Sequence, residues 1–287
     1  MNWFTLSLSS VFVLAIAELS QQSALNRNKP LSLRANAVLV YFIQSIVVFP
    51  FSFFVFRKEF FDVFSPDLLV KFLAVTAIGS IATIFYLKSL KVQNISLSGI
   101  FGSLSVVVST ILGIYFFDEG TSLIKFIGII MILTAIISLN FRNAILERNH
   151  MFGLISGLLF GICYVLDKSI VQAVNPVVYL FWSFLTLSLF CFLANPKEVA
   201  HSLGTGFKKS YRLIAIAAIC YALYNFLTIS SYLTGGEVGK IDAINNSQIF
   251  LIILFEYFIL KHHDSIFRKF ATALVAFSGI YLLGTYV

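Results

Sequence analysis

Charge is scarce in this sequence: only 11% of its 287 residues are Asp, Glu, Lys or Arg, whereas 59% are apolar. A water-soluble domain carries roughly 25% charged residues to stay dispersed, so this composition excludes that class. Proline is also rare, with five residues, which lets long helices run without interruption. The three cysteines lie singly in apolar stretches, at positions 163, 191 and 220, which argues against a disulfide framework or a metal clip. A lipid bilayer is therefore the expected surrounding.

Several catalytic motifs are missing as well. No Gly-rich phosphate-binding loop with its lysine occurs, which argues against nucleotide-driven pumping by this chain alone. No His-x-Glu-x-x-His or paired-aspartate motif lies in or beside an apolar stretch, and the four histidines fall between such stretches, at positions 150, 201, 262 and 263. His262, His263 and Asp264 could chelate a metal, but a hydrated loop is the plainer interpretation. We therefore expect no enzyme, no bound metal and no other cofactor.

The net charge of +7 does not indicate a nucleic-acid partner. The basic residues fall in short gaps between apolar stretches and form no contiguous, aromatic-studded face that could meet phosphates. Membrane orientation and lipid headgroups explain such flanking charges.

The apolar residues form ten stretches of about twenty residues, the length that a helix needs to cross the hydrocarbon core. They lack the alternation of a membrane-spanning strand, and the gaps between them are too short for a soluble domain. The first has no basic flank before it and no small-residue cleavage site after it, so we predict a retained span. The predicted spans are 3–23, 32–56, 67–90, 95–117, 123–140, 151–171, 177–194, 211–233, 240–260 and 266–286. The sequence thus predicts an all-α integral membrane protein of about ten transmembrane helices, a multi-pass protein of the cell membrane.

The two halves of the sequence repeat. Pro30 recurs as Pro176 at an offset of 146, and Lys125-Phe126 recurs as Lys269-Phe270 at an offset of 144. Because five spans are an odd number, the second half must enter the membrane with inverted orientation, an arrangement in which transporters hold their solute near the midplane. The sequence therefore predicts two inverted five-helix repeats, which cover residues 1–145 and 146–287.

A recognisable pattern lies at the transition from the fourth to the fifth span, residues 113–139, where Glu119 precedes the element Lys125-Phe126-x-Gly128. A segment with small residues at 153–161 fits the same pattern in the second half. On these residues the chain resembles the EamA-type, ten-helix members of the drug/metabolite transporter superfamily. The resemblance implies a transporter of a small solute with both termini in the cytoplasm. It departs in one respect: many members carry a proline in the fourth and ninth helices, and this sequence has none there.

Polar side chains at membrane depth are the best functional leads, because a charge at the bilayer centre costs roughly 3 kcal/mol or more. Two triplets with the spacing i, i+3, i+4, which places them on one helical face, lie 146 residues apart: Glu18, Gln21 and Gln22 in the first span, and Tyr164, Asp167 and Lys168 in the sixth. We expect both triplets to converge on one substrate-binding cavity. The plainer alternative is that they lie near helix ends and reach the headgroups.

A third polar group lies in the ninth span. Asp242, Asn245, Asn246 and Glu256 fall on one face of a continuous helix, and Gln248 lies off it. We predict that Asp242, Asn245 and Asn246 contact the solute, whereas interhelical hydrogen bonds are the plainer role for the two asparagines. Glu256 is placed near the membrane interface.

Aromatic residues with polar groups could complete the pocket. We assign Trp182, Tyr224 and Asn225 to it, favouring the last two because an asparagine at mid-span needs a partner. Packing, or an interfacial belt, is the plainer role for the aromatic rings.

Charge bias and family resemblance disagree on which side the termini face. With cytoplasmic termini, six of the 20 Lys and Arg residues would lie inside, at positions 57, 58, 71, 125, 168 and 240, and the other 14 outside. That distribution is opposite to the positive-inside rule. The sequence predicts only that both termini share one side.

Together these features predict a secondary transporter, expected to export a small metabolite or amphipathic compound by alternating access. If transport is coupled to protons, Glu18 or Asp167 is the titrating group. A membrane enzyme acting on lipid-linked substrates and a non-transporting or lipid-flippase-type subunit are the alternatives left open. Substrate, direction, coupling ion and oligomeric state do not follow from the sequence.

Overall fold

The computed structural model describes residues 2–26, 31–92, 95–140, 148–258 and 266–285. Within these ranges the regular secondary structure is entirely helical. Helices are the expected result in hydrocarbon, because they satisfy every backbone N–H and C=O within their own segment. The α-helices are α1 (Trp3–Leu25), α2 (Leu33–Pro50), α3 (Pro66–Val92), α4 (Ile95–Gly102), α5 (Leu104–Phe117), α6 (Leu123–Asn140), α7 (Arg148–Val171), α8 (Pro176–Leu193), α9 (Pro196–Leu233), α10 (Val238–Asn246), α11 (Gln248–Phe258) and α12 (Ile266–Thr285).

Eight helical stretches in the described part of the chain are long and apolar enough to cross a bilayer. The outer surface of the helices is apolar: Phe54, Val70 and, in α12, Phe267 are 74%, 74% and 85% exposed, which suits lipid rather than water. The predicted fifth and tenth spans correspond to α6 and α12, of 18 and 20 residues. The eight stretches are Trp3–Leu25, Leu33–Val55, Pro66–Lys91, Ser98–Phe117, Met151–Val171, Pro176–Leu193, Ser210–Leu233 and Val238–Phe255.

Helix α9 differs most from the sequence prediction, which left residues 195–210 as a loop. The helix begins at Pro196 and continues for 38 residues. The Asn195 side chain caps its first turn by accepting a hydrogen bond from the Glu198 N–H, and Pro196 suits that turn because its fixed φ is helical. The segment is therefore a helical extension of the eighth predicted span, because local capping outweighs its low hydropathy.

The fourth and ninth predicted spans are each broken into two helices. The breaks fall at Ser103 and Ser247, which lie 144 residues apart. The Ser247 N–H donates to the Ile244 carbonyl at 2.9 Å, and the Ser103 hydroxyl donates to the Ile100 carbonyl at 2.6 Å. Such bonds to the third preceding residue tighten a turn and interrupt the helical ladder. Both helices are thus interrupted at corresponding positions without proline.

Helices of the first half pack mainly on helices of the second. The main pairs are α1 with α9, α3 with α7, α2 with α8, α5 with α10, and α6 with α12. Exchanging the two halves converts the first pair into the second and leaves the α2–α8 and α6–α12 pairs unchanged. It converts the α5–α10 pair into α4–α11, which is also in contact. Gly157 and Gly161 allow α7 to approach α4 and α5, since a Cβ atom would lie 2.9 Å from the Gly102 carbonyl and 2.8 Å from the Ser105 carbonyl. The packing therefore surrounds a shared interior.

Candidate functional site

A cavity of about 190 Å³ lies in this shared interior. Residues of α1 to α5 and of α7 to α11 line it, so both halves contribute. Three carboxyl groups are among the lining residues, those of Glu18, Asp167 and Asp242, and the described lining residues include no Lys, Arg or His. With its carboxyl groups ionised the cavity is a strongly negative interior, because low-dielectric walls do little to screen charge.

Nine of the twelve residues predicted for the site line this cavity. They come from α1, α7, α9 and α10, four helices that belong to different halves. The nine are Glu18, Gln21, Tyr164, Asp167, Tyr224, Asn225, Asp242, Asn245 and Asn246.

Glu18 is 5% exposed, and only one of its oxygens is paired. Gln248 Nε2 donates to Glu18 Oε1 at 3.0 Å, whereas Glu18 Oε2 has no hydrogen-bond partner. Gln248 Oε1 also has none. The Tyr86 hydroxyl approaches the Glu18 carboxylate as a hydrogen-bond donor, but at a geometry too loose to satisfy either group fully. A buried polar atom without a partner costs about 1–3 kcal/mol, so this end of the cavity is poised to accept hydrogen bonds.

Gln21 ties together three helices at the same end of the cavity. Its Nε2 donates to Asn36 Oδ1 of α2 at 2.9 Å, and its Oε1 accepts the Tyr221 hydroxyl of α9 at 2.7 Å. Both polar ends of the amide are therefore satisfied. Gln21 therefore positions α1 against α2 and α9.

Asp242 has a full set of donors, unlike Glu18. Its Oδ1 accepts Ser105 Oγ at 3.2 Å and Asn246 Nδ2 at 2.8 Å, and its Oδ2 accepts Ser109 Oγ at 2.9 Å. The two serines belong to α5, so the carboxylate joins the broken helix of the second half to that of the first. Three donors satisfy a carboxylate well, which makes Asp242 a structural tie as well as a lining residue.

Asn245 makes interhelical hydrogen bonds to α1 and α9. Its Oδ1 accepts Ser10 Oγ of α1 at 2.5 Å, and its Nδ2 donates to Thr228 Oγ1 at 3.1 Å and to the Tyr224 hydroxyl at 3.4 Å. Asn225 follows a simpler pattern, since its Nδ2 donates to the Tyr221 carbonyl of its own helix at 2.8 Å. The mid-span asparagines therefore find protein partners.

Asp167 lies on α7 and also lines the cavity. The Tyr179 hydroxyl of α8 donates a short hydrogen bond to its Oδ1. Asp167 is only half-buried, so its carboxyl group faces the cavity more openly than those of Glu18 and Asp242.

Three predicted residues do not line the cavity: Gln22, Lys168 and Trp182. Gln22 and Lys168 occupy the i+4 position of their triplets, while the i and i+3 members face the cavity in both halves. Trp182 Nε1 donates to the Phe60 carbonyl at 2.7 Å, and its ring packs on Phe60 and Phe64 at centroid distances of 5.2 and 4.7 Å. Its indole thus closes an aromatic cluster instead of reaching the cavity.

Lys168 forms a buried ion pair with Glu119, the residue that follows α5 in the first half. Its Nζ lies 3.0 Å from Glu119 Oε1, also donates to the Gly236 carbonyl at 3.2 Å, and lies 4.8 Å from the centre of the Phe117 ring. Glu119 Oε1 also accepts the Val238 N–H at 2.8 Å, at the positive end of the α10 dipole. This ion pair therefore joins the two halves outside the cavity.

A tight turn places Glu119. Asp118 ends α5 with a φ of 51°, the only positive value among the described non-glycine residues. The Glu119 side chain then folds back onto α5 so closely that a Cβ on Gly113 would lie 2.5 Å from Glu119 Oε2. Gly113 leaves room for the carboxylate.

Comparison with known proteins decides the family. A model described as "EamA-like transporter family" matches residues 1–141 and 148–285. The chain belongs to the EamA-like transporter family. The predicted resemblance to the drug/metabolite transporter superfamily is thereby confirmed, and this EamA-like chain is a multi-pass membrane protein, for which a small-molecule solute is the expected partner.

Solved structures support the same fold for the EamA-like chain. One of the 27 matching chains, titled only "Crystal structure of protein", has a TM-score of 0.69 and 14% sequence identity, with 99% of each chain covered. Identity this low shows the fold alone. A search of curated proteins finds no match.

The prediction missed several cavity residues of this EamA-like chain, most importantly Gln248. Gln248 lies off the Asp242 face, but it follows Asn245 by three residues and, like Asn245, contacts α1, where it meets Glu18. Tyr41, Gln44 and Ser105 also line the cavity. They carried no distinguishing spacing, because single hydroxyl and amide side chains are common throughout these helices.

Two predictions fall on residues that the structure leaves out. The His262, His263 and Asp264 segment lies outside the described residues, and so does the side chain of Glu256. Among the residues that are described, no group of three or more His, Cys, Asp or Glu could hold a metal ion.

Proposed function

We propose that this chain moves a small solute across the cell membrane as a secondary transporter and does not transform it chemically. The observation that carries the proposal is the cavity, which is lined from both halves and contains three carboxyl groups without a basic lining residue among those described. Secondary transporters place their solute between repeats in this way. Membership of the EamA-like transporter family supports the same conclusion.

Alternating access is the mechanism that the packing favours. We propose ten spans in two inverted five-helix repeats, residues 1–145 and 146–287, because the main helix pairs map onto each other when the halves are exchanged. Two conformations of nearly equal energy are then available, in which one repeat rocks against the other and opens the cavity to opposite sides. Export is the expected direction.

Protons are the proposed coupling ion, with Glu18 as the principal titrating group and Asp167 as the second. An ionised carboxylate is costly to bury without a positive partner or a proton, and Glu18 is 95% buried with one unpaired oxygen. The other acidic groups lining the cavity are Asp242, whose oxygens already accept three hydrogen bonds, Cys163 and several tyrosines. Glu18 is therefore the group with the most to gain from a proton.

The test begins with a ligand found by thermal stabilisation of the purified protein against metabolite pools, since a ligand of the folded state raises its apparent stability. In proteoliposomes a pH gradient should drive accumulation of that ligand by the wild type. Glu18→Gln should abolish this accumulation. Glu198→Gln is the matched control, because Glu198 pairs with Arg34 at a partly exposed position outside the cavity lining.

Two results would count against the proposal in different ways. Unchanged flux in Glu18→Gln eliminates the coupling role of this residue. A wild-type protein that binds ligands but moves none of them, under any imposed gradient, contradicts transport itself.

A further inference from the structure

The charge of the cavity limits the kind of solute that it can hold. Three carboxyl groups face it, and no Lys, Arg or His is present among its described lining residues. Two buried lysines of the described residues, Lys168 and Lys240, do not line the cavity and are paired with Glu119 and Glu237. A carboxylate or phosphate on the solute would therefore enter without a cationic partner, which is unfavourable in a low-dielectric interior. A positive charge is the complementary one.

The unpaired atoms near Glu18 indicate which type of cation fits. Glu18 Oε2 and Gln248 Oε1 are buried and have no well-formed hydrogen bond among the described residues. The Tyr86 hydroxyl, which approaches Glu18 as a donor, is also buried and its oxygen is available as an acceptor. All three can accept hydrogen bonds. An ammonium group with three N–H bonds can donate one to each, whereas a quaternary ammonium has no N–H to give.

The other two carboxyl groups are less suitable for this role. Asp242 already accepts three hydrogen bonds from Ser105, Ser109 and Asn246. Asp167 accepts a short bond from Tyr179 and is more accessible than Glu18. Glu18 and Gln248 are therefore the lining side chains best arranged to bind an ammonium group.

An aromatic strip continues from this point along the cavity wall. Tyr86 lies near Glu18 and packs edge-to-face on Phe160 at a centroid distance of 6.1 Å. Phe160 in turn stacks on Tyr164 at 6.3 Å, with an angle of 15° between the ring planes. All three rings line the cavity. They offer an apolar surface for a hydrocarbon or aromatic body attached to the ammonium group, and aromatic faces also attract a cation.

We infer that the solute is a primary amine with an apolar or aromatic body, its ammonium group bound by Glu18 and Gln248 and its body lying along the strip of Tyr86, Phe160 and Tyr164. This assignment rests on the proposed transport function and names the substrate class for the same cavity.

Five compounds that share a phenethyl skeleton and differ in their charged or polar groups test the assignment in purified protein. Phenethylamine carries the ammonium group, and 2-phenylethanol replaces it with a neutral hydroxyl. Phenylalanine adds a carboxylate, and 3-phenylpropionate carries the carboxylate alone. Phenethyltrimethylammonium keeps the positive charge but has no N–H donor. Their dissociation constants follow from the rise of the unfolding temperature with ligand concentration.

Phenethylamine should bind most tightly of the five. The trimethylammonium compound and the neutral alcohol should bind about tenfold or more weakly, because hydrogen bonds to charged groups carry that much affinity. Phenylalanine should be weakened to a similar extent by its uncompensated carboxylate, and 3-phenylpropionate should not bind detectably. Glu18→Gln should weaken phenethylamine binding by about 10- to 100-fold.

Two further variants distinguish loss of the binding site from misfolding of the protein. Gln248→Met removes the unpaired amide oxygen but keeps the length of the side chain, and it should also weaken phenethylamine binding relative to the trimethylammonium compound. Glu198→Gln makes the same chemical change as Glu18→Gln outside the cavity lining, and it should leave all five affinities unchanged.

The inference is overturned if phenylalanine or the anion binds as well as phenethylamine, if the trimethylammonium compound binds equally well, or if none of the five binds. It is also overturned if folded Glu18→Gln retains full affinity. The transport proposal is judged separately, from the uptake into proteoliposomes of whichever compound binds, in radiolabelled form, with protein-free liposomes as the control. Binding of the amine without protein-dependent uptake would contradict transport and leave the amine site standing.

Discussion

Glu18 and Glu119 are the same residue type at similar burial, 5% and 8% exposed, yet they lie in opposite chemical situations. Glu119 has a cation, Lys168, and a helix N-terminal N–H, both on the same oxygen. Glu18 has one amide donor and an oxygen without a partner, and it faces a cavity. Burial alone therefore does not distinguish a functional carboxylate from a structural one. The difference lies in the hydrogen-bonding and charged partners of the carboxylate. A carboxylate with all its partners stabilises the fold, whereas one that lacks partners can bind a ligand or a proton.

The largest expected effect on stability is at the ion pair of Lys168 and Glu119. Lys168→Met removes the cation and leaves Glu119 charged and buried, which should lower the free energy of unfolding by about 3–5 kcal/mol. Thermal unfolding of the purified protein in detergent measures this loss. Glu119→Gln combined with Lys168→Met should recover part of it, because the two groups are coupled.

Lys197→Met is the control for that experiment, since Lys197 is an exposed residue in the first turn of α9. It should change the unfolding temperature little. If Lys168→Met proved equally harmless, the ion pair would not be the structural tie between the halves that the comparison requires.

A smaller effect on stability is expected at Gly113, which packs against the Glu119 carboxylate. Gly113→Ala places a Cβ 2.5 Å from Glu119 Oε2, so the carboxylate must shift while its other oxygen stays bound to Lys168. The cost should be about 1–3 kcal/mol, visible as a lower unfolding temperature. Gly204→Ala serves as the matched control, because a Cβ there meets nothing within 4 Å. Equal behaviour of the two alanine variants would contradict the close packing of Glu119.

The smallest stability effect is expected at Glu18. Glu18→Gln keeps the shape of the side chain and removes a buried charge that has no cation, so the free energy of unfolding should fall by less than about 1 kcal/mol or rise. The same unfolding measurement checks it. A loss as large as that of Lys168→Met would place Glu18 with Glu119 among the structural carboxylates.

The helical spans followed from the sequence because hydrocarbon imposes their length and composition. Helix α6 has the predicted bounds of 123–140. The extension of α9 to Pro196 was missed, because a polar segment of this length looks like a loop by hydropathy, and only the Asn195 cap and Pro196 indicated a helix. The family followed from a few residues around Glu119, and the family match confirmed it.

The candidate site was only partly predictable. The triplets have the same spacing, which placed Glu18 and Asp167 on helical faces, and both line the cavity. Periodicity cannot say that the i+4 members turn away from it. Lys168 turns away because Glu119 holds it, and a contact across 49 residues leaves no local signal. Gln248 was missed for a different reason: it lies off the face of Asp242 and Asn246, and the sequence does not show that α1 packs on the side that Asn245 and Gln248 share.

Alternating access is tested most directly by the accessibility of one cavity residue from both sides. Ser183 lines the cavity, is 6% exposed, and has a hydroxyl without a partner, so Ser183→Cys is a nearly isosteric probe in a chain whose three cysteines are replaced. A membrane-impermeant thiol reagent is applied to right-side-out and to inside-out vesicles. Modification from both sides, slowed by a bound ligand, is the expected result. Modification from one side only, whatever gradient or ligand is present, would contradict the account.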